Sequence, residues 1–158
     1  MFQMEDERFT AFIDCVSDAF RNVSEMVAEF TFKECAKERI TDEKKYNVVV
    51  GITGRNKGRI LFKAGDGLVK KLTEAMNDGP VNGVMEIYMC LAEYANMFCG
   101  NAVTLINNKY RGSDMRLTPP AIFSGIDLQV ITPNIHSATT YYMSEHGLVT
   151  LDIGFEGA

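Results

Sequence analysis

Apolar residues recur at intervals of three and four along two long stretches of the chain, a spacing that predicts two amphipathic helices. The first stretch runs from Glu7 to about Phe32 and the second from Gly83 to Asn107. On an ideal helix, the apolar positions of the second stretch fall on one broad arc. That arc contains Val84, Ile87, Leu91, Tyr94, Ala95, Phe98, Ala102, Leu105 and Ile106.

Between the two long helices, the pattern predicts a hairpin followed by a shorter helix. Residues Tyr46 to Thr53 are rich in Val and Ile and are typical of a strand, and Arg59 to Lys63 resume the strand pattern after the turn Gly54 to Gly58. Asp66 is expected to cap a helix that runs to about Asn77.

The last third of the chain predicts three more strands after an irregular connection. They are expected over Ile126 to Thr132, Ala138 to Met143 and Leu148 to Phe155. The order is then helix, two strands, two helices and three strands. This order favours an α+β fold in which long helices pack on one antiparallel sheet. Residues 1–158 are expected to form a single domain, because no linker-like segment interrupts them.

Composition and charge narrow the class of protein. The chain has 158 residues, 46% of them hydrophobic, which excludes a disordered chain. Its formal net charge is −5, and Lys and Arg look scattered along the sequence, so no nucleic-acid partner is expected. No apolar run reaches the roughly 20 residues that span a bilayer, and the acidic start Met1 to Glu7 is unlike a signal peptide. The expected location is the cytoplasm, without membrane contact.

The cysteines and histidines give little support to a metal centre or a thiol hydrolase. Four cysteines lie far apart without a C-x-x-C pair, so neither a metal site nor a cofactor is expected. Cys99 would need a base to act as a nucleophile, and His136 and His146 lie in a distant strand region. The segment Gly51 to Gly58 lacks the P-loop pattern and is better interpreted as a hairpin turn.

The polar side of the second long helix carries the most informative residues. Glu93 and Asn96 share a line with Gly100, on the side opposite the apolar arc together with Glu86 and Asn107. A glycine inside a helix costs roughly 0.5–1 kcal/mol relative to alanine. Its presence indicates that another backbone approaches this side, so a docking surface is expected here rather than a pocket.

The string that contains these residues, E-x-x-N-x-x-x-G-N-A from Glu93 to Ala102, resembles the signature of the CheC/CheX/FliY family of response-regulator phosphatases. With one motif and this length, the chain is most similar to the CheX members. The family often has Asp or Ser four residues before the glutamate, where this chain has Met89. The resemblance implies two pseudo-symmetric halves, each with a long helix. The first helix lacks the motif and offers only Asp14, Asp18 and Asn22, so one working site is expected.

The resemblance also implies a reaction, hydrolysis of the aspartyl phosphate on a CheY-like receiver. Asn96 would orient the attacking water, and Glu93 would pair with a lysine at the partner's phosphorylation site. Met89 and Gly100 would belong to the docking surface. Mg²⁺ is expected on the partner, and this chain is expected to bring no cofactor of its own.

A homodimer joined at sheet edges is also expected. The chain ends in strand-like segments whose edges need cover. The alternation of Val149, Leu151 and Ile153 with polar residues is typical of a strand with one buried face.

Two other classes of function stay open at this point. A module related to flagellar switch proteins would bind the receiver without hydrolysing its phosphate. A hydrolase of small metabolites would need a cleft with a nucleophile and a base, which the sequence does not display.

Overall fold

A computed structural model describes residues 7–36, 43–126 and 128–156 of the chain. Within these ranges the fold has three helices and seven strands. The helices are α1 (Glu7–Ala28), α2 (Asp66–Asn77) and α3 (Gly83–Lys109). The strands are β1 (Lys33–Cys35), β2 (Lys45–Thr53), β3 (Gly58–Gly65), β4 (Arg116–Leu117), β5 (Ala121–Gly125), β6 (Ile135–Ser144) and β7 (Gly147–Glu156).

All seven strands join one antiparallel sheet in the order β1-β6-β7-β3-β2-β4, with β5 also paired to β2. The register places alternate residues of neighbouring strands on the face that the helices cover. Phe62 on β3, for example, lies between Val48 on β2 and Leu151 on β7, and all three are buried. The predicted architecture, long helices on an antiparallel sheet, is therefore confirmed.

An aromatic cluster joins the two long helices to the sheet. The ring centroids of Tyr94 and Phe98 on α3 lie 5.3 Å apart, and those of Phe98 and Phe20 on α1 lie 5.7 Å apart. Phe62 contributes from the sheet, 5.7 Å from Tyr94 in an edge-to-face arrangement. Truncation of one such ring to alanine typically costs about 3–5 kcal/mol, so this cluster fixes α3 against the rest of the molecule.

The end of α1 differs from the prediction. The helix stops at Ala28 because Glu29 adopts a left-handed conformation with φ 58°, and the Phe30 amide then donates to the Ser24 carbonyl at 3.2 Å. This closing geometry satisfies carbonyls in the last turn. Phe30 and Phe32 are buried as expected, but they follow the helix, and the short strand β1 that comes next was not predicted.

The shorter helix begins and ends where the sequence indicated, although Asp66 does not cap it. Gly65 precedes the helix, and Asp66 is its first helical residue, with its amide donating to the Lys44 carbonyl at 2.9 Å. The Asp66 carboxylate instead pairs with Lys70 one turn later at 2.9 Å. An acidic side chain in the first turn still interacts favourably with the helix dipole.

The strand predicted over Ile126 to Thr132 is wrong. The pairing strand is β5, which ends at Gly125, and residues 128–132 lack regular structure, while residue 127 lies outside the described ranges. Thr132 accepts a hydrogen bond from Arg59 Nε at 2.8 Å, which ties this connection to the sheet. Apolar β-branched residues suggested a strand, but the pairing position along β2 is taken by β5.

Of the C-terminal strands expected to offer an edge for a dimer contact, β7 has no open edge. Strand β7, with Val149, Leu151 and Ile153, lies between β3 and β6 and is paired on both sides. Within the described residues, the open edges belong to β1, β4 and β5, and also to residues 135–140 of β6, because β1 pairs only with Tyr141–Met143. The dimer itself stays a prediction.

Candidate functional site on helix α3

The inner face of α3 packs into the core almost as its periodicity predicts. Its buried residues are Ile87, Leu91, Tyr94, Ala95, Phe98, Cys99, Ala102, Val103 and Ile106. Val84 and Leu105, which were predicted on the same arc, are exposed instead. Val84 lies in the first turn and lines a cleft of about 570 Å³ between α2 and α3, where solvent reaches it.

The outer face of α3 carries a stripe formed by Met85, Met89, Glu93, Asn96 and Gly100, which we call the motif stripe. These residues follow one another at intervals of four, four, three and four, and at a rise of 1.5 Å per residue the stripe is about 22 Å long. The Met85 and Met89 side chains are 66% and 69% exposed.

Glu93 and Asn96 are both exposed and lie one turn apart on the stripe. Within the described part of the chain, neither side chain forms a hydrogen bond or an ion pair. The structure thus brings together the two predicted catalytic residues with their polar groups directed to solvent. Unpaired polar groups in this arrangement are available to a partner.

Gly100 lies at the end of the stripe, and the fold itself does not require it. A Cβ placed on this residue would meet no heavy atom within 4 Å, apart from the helix's own neighbouring backbone. A mid-helix glycine lowers helix stability relative to alanine without any gain in internal packing here. The open space above Gly100 fits the predicted close approach of another molecule.

Tyr94 holds the helix from the inside, next to Glu93. Its hydroxyl donates to Ser24 Oγ on α1 at 2.5 Å, and Ser24 Oγ donates in turn to the Phe20 carbonyl at 2.6 Å. Burial raises the pKa of the Tyr94 hydroxyl, so the tyrosine remains a neutral donor. Periodicity placed Tyr94 on the buried arc, but sequence alone gave no sign of its partner seventy positions away.

Asn107 continues the line of the motif stripe seven residues after Gly100, but its side chain is occupied within the chain. Its carboxamide forms two hydrogen bonds with the Met115 backbone, donating to the carbonyl at 2.9 Å and accepting from the amide at 3.0 Å. These bonds fix the connection between α3 and β4. The role of Asn107 is therefore structural.

The described residues do not place a cysteine nucleophile beside a histidine base. Cys99 is fully buried, and burial raises its pKa, so it is protonated at neutral pH. His146 stacks on Phe30 with ring centroids 4.4 Å apart, and His136 lies on β6, opposite Phe155. Among the described residues, no group of three His, Cys, Asp or Glu side chains could hold a metal ion.

The motif stripe is a convex surface rather than a cleft. A cleft of about 620 Å³ lies beside β1, and the 570 Å³ cleft lies at the start of α3, and neither is lined by Glu93 or Asn96.

The segment Gly51 to Gly58 joins β2 to β3 as the predicted hairpin. In the described part of the chain, no helix is long and apolar enough to cross a membrane.

The fold is shared with solved structures of chemotaxis proteins. A chemotaxis protein CheX from Vibrio vulnificus matches with a TM-score of 0.81 and 20% identity, covering 98% of this chain and 100% of its own. A CheX-CheY-BeF3-Mg²⁺ complex from Borrelia burgdorferi matches with a TM-score of 0.72 and 18% identity, covering 96% and 99%. FliY from Thermotoga maritima matches with a TM-score of 0.66 and 14% identity, covering 100% and 93%.

These likenesses define the class of fold, two long helices on an antiparallel sheet as in CheX and FliY. The family described as "Chemotaxis phosphatase CheX" matches residues 46–144, well over half of the chain. The chain belongs to the CheX family of chemotaxis phosphatases, as its motif predicted. No curated protein matches the chain in sequence.

Proposed function

We propose that this protein hydrolyses the aspartyl phosphate of a CheY-like receiver in the cytoplasm. The observation that carries the proposal is the pair Glu93 and Asn96, exposed and unpaired within the described residues on a helix whose inner face is rigidly packed. The family supplies the class of activity, and the complex from Borrelia burgdorferi, named for CheY, BeF3 and Mg²⁺, supports the kind of partner.

The reaction needs a positioned water more than it needs a nucleophilic side chain. In the proposed step, the water oxygen attacks phosphorus while the bond from phosphorus to the aspartyl oxygen breaks, which releases the free carboxylate and inorganic phosphate. The Asn96 carbonyl oxygen accepts a hydrogen bond from that water and holds it in line with the breaking bond. Such orientation can supply several kcal/mol of the barrier reduction.

Glu93 lies one turn before Asn96 and carries a negative charge on an exposed surface. We assign it to a charge-assisted contact with a lysine at the receiver's phosphorylation site. Because both residues project from the same helix, this contact would set the depth and register at which Asn96 enters the partner. The Mg²⁺ that neutralises the phosphoryl oxygens is assigned to the receiver.

Met89 and Gly100 are assigned to docking on either side of this pair. Met89 is 69% exposed, so it offers an adaptable apolar contact where the family often has Asp or Ser. Gly100 leaves space for a partner backbone to approach the helix. Along the stripe, an apolar contact at Met89 is thus followed by the Glu93 carboxylate, the Asn96 carboxamide and the open space above Gly100.

Incubation with a phosphorylated receiver tests the proposal and separates the alternatives. We expect the receiver to lose its phosphate faster in the presence of this protein than alone, with inorganic phosphate as the product. Binding without loss of phosphate would favour the binding-only module related to flagellar switch proteins. The absence of both would contradict the assignment of the partner.

We also propose that the protein is a homodimer joined at a sheet edge. The open edge of β6, residues 135–140, carries no Lys, Arg, Asp, Glu or Pro that would oppose pairing with a second copy. Light scattering at micromolar concentration should give twice the mass of one chain. A monomeric mass that persists on concentration would reject the dimer and leave the catalytic assignment untouched.

A further inference from the structure

Four cationic residues that are far apart in sequence meet beyond the C-terminal end of α3. We call this group the basic end, and it consists of Arg55, Lys109, Arg111 and Arg116. Arg55 lies in the β2–β3 turn, and its Nη1 atom comes within 3.5 Å of the place that a Cβ on Gly112 would occupy. Arg116 lies on β4, paired with Thr53 next to the same turn.

The backbone explains why these segments meet. Gly54 has φ 111°, and a Cβ there would lie 2.2 Å from the Asp114 carbonyl oxygen, so the turn and the connection after α3 touch through a glycine. Lys109 closes α3, and Arg111 follows at once in that connection. These cations look scattered along the sequence because Arg55 and Arg111 are separated by 56 positions.

Among the described residues, most of this charge has no acidic partner, although Lys109 Nζ lies 5.7 Å from the centre of the Tyr110 ring. All four residues are exposed, and Arg116 pairs with Asp114 at 3.2 Å. Arg55, Lys109 and Arg111 form no ion pair within the described residues. The chain as a whole has a net charge of −5 and would repel an acidic partner. A local basic surface therefore favours the approach of such a partner at this place.

The basic end lies within reach of a protein docked on the motif stripe. Thirteen residues separate Asn96 from Lys109, which corresponds to about 20 Å along the helix. A compact domain of about 100 residues has a radius of gyration of about 13 Å, hence a radius of roughly 17 Å. Such a domain centred on Asn96 would end about 3 Å short of the Lys109 backbone, so the basic end borders the docked domain.

We propose that the basic end attracts the negatively charged site of the phosphorylated receiver over a distance, and so governs how fast the complex forms. This inference rests on the proposed function for the identity of the partner. The receiver's phosphoryl group and the carboxylates that hold its Mg²⁺ supply the negative charge. Rim charges of this kind act mainly on the association rate and its dependence on salt.

The test compares two double variants that each remove two positive charges. Arg55→Gln with Arg111→Gln neutralises the basic end, whereas Lys33→Gln with Lys71→Gln removes the same charge from the exposed surfaces of β1 and α2. The probe is the CheY-like receiver of the same organism, activated with beryllofluoride and Mg²⁺. Stopped-flow association is measured at roughly 20 mM and 200 mM salt, where screening lengths differ about threefold.

We expect the association rate constant at low salt to fall about fivefold or more in the basic-end variant and less than twofold in the control. The salt dependence should also become shallower in the basic-end variant alone. Equal losses in the two variants would overturn the inference, because net charge would then explain the effect. Binding of the wild type to duplex DNA through Arg55 and Arg111, with receiver association unaffected, would overturn it as well.

Failure of this inference is distinguishable from failure of the proposed function, since the beryllofluoride complex reports binding without hydrolysis. A basic-end effect in a protein that releases no phosphate would support the docking inference and remove the phosphatase assignment. Hydrolysis that proceeds with equal association rates in both variants would support the phosphatase assignment and reject the docking inference.

Discussion

Helices α1 and α3 have similar inner faces and very different outer ones. Phe20 on α1 and Phe98 on α3 meet in the same aromatic cluster, and each helix buries a long apolar face against the sheet. On the outside, Asp18 of α1 is paired with Arg21 at 3.1 Å. Glu93 of α3 has no such pair among the described residues.

The difference places the buried contacts and the candidate site on opposite sides of α3. The exposed face of α1 offers Asp14, Asp18 and Asn22 without a glycine, an ordinary solvated surface. The exposed face of α3 combines two methionines, an unpaired carboxylate, a carboxamide and a gap. If activity belongs to α3, equivalent substitutions on the two helices should have unequal effects.

The largest difference in dephosphorylation rate is expected between Asn96→Ala on α3 and Asn22→Ala on α1. Loss of the Asn96 carboxamide should slow dephosphorylation by about 10² or more, equivalent to roughly 2.7 kcal/mol, while receiver affinity changes little. Asn22→Ala should leave the rate within about twofold. Release of inorganic phosphate at saturating receiver measures both. A wild-type rate in the Asn96 variant would break the assignment.

A smaller inequality is expected for the two acidic residues. Glu93→Gln should raise the apparent KM for the phosphorylated receiver about fivefold and reduce its dependence on ionic strength, because one charged contact is lost. Asp18→Asn should change neither value measurably, since Asp18 already pairs with Arg21 on the surface. The same salt dependence in wild type and Glu93→Gln would mean that Glu93 meets no charge.

The smallest effect is expected at Gly100, where stability and docking should change in opposite directions. Gly100→Ala should stabilise the fold by about 0.5–1 kcal/mol, which raises Tm by roughly 1–4 °C, because no atom obstructs the new Cβ. Receiver affinity should nevertheless fall about threefold.

Gly67 in α2 provides the matched control, because a Cβ there also meets nothing within 4 Å. Gly67→Ala should stabilise the protein without weakening receiver binding, as checked by thermal melting and titration. Equal affinity in the two alanine variants would show that no partner backbone approaches Gly100.

The helices and most strands were predictable because their signals are local. Periodicity located α2, α3 and the hairpin of β2 and β3 within a few residues of their bounds. It failed at the end of α1, where the left-handed conformation of Glu29 carries no glycine or proline signal. It failed again after Gly125, since a stretch rich in Val, Ile and Thr forms a strand only where a partner strand has an open edge.

The features of the candidate site also divide into those that local sequence predicts and those that depend on tertiary contacts. Glu93, Asn96 and Gly100 were accessible to sequence reasoning because one helix carries them all at regular spacing. The hydrogen bond from Tyr94 to Ser24 and the meeting of Arg55 with the connection after α3 depend on tertiary contacts between distant segments. No local pattern records such contacts, so only the folded structure displays them.

The convexity of the motif stripe has a consequence for inhibition. A small molecule gains affinity by being enclosed, typically with most of its surface buried in a concave site. In the described part of the chain, Glu93 and Asn96 project from a helix ridge, and neither the cleft beside β1 nor the cleft at the start of α3 encloses them. An effective antagonist would have to supply the concave half itself, as a protein or designed scaffold with a groove that receives the ridge.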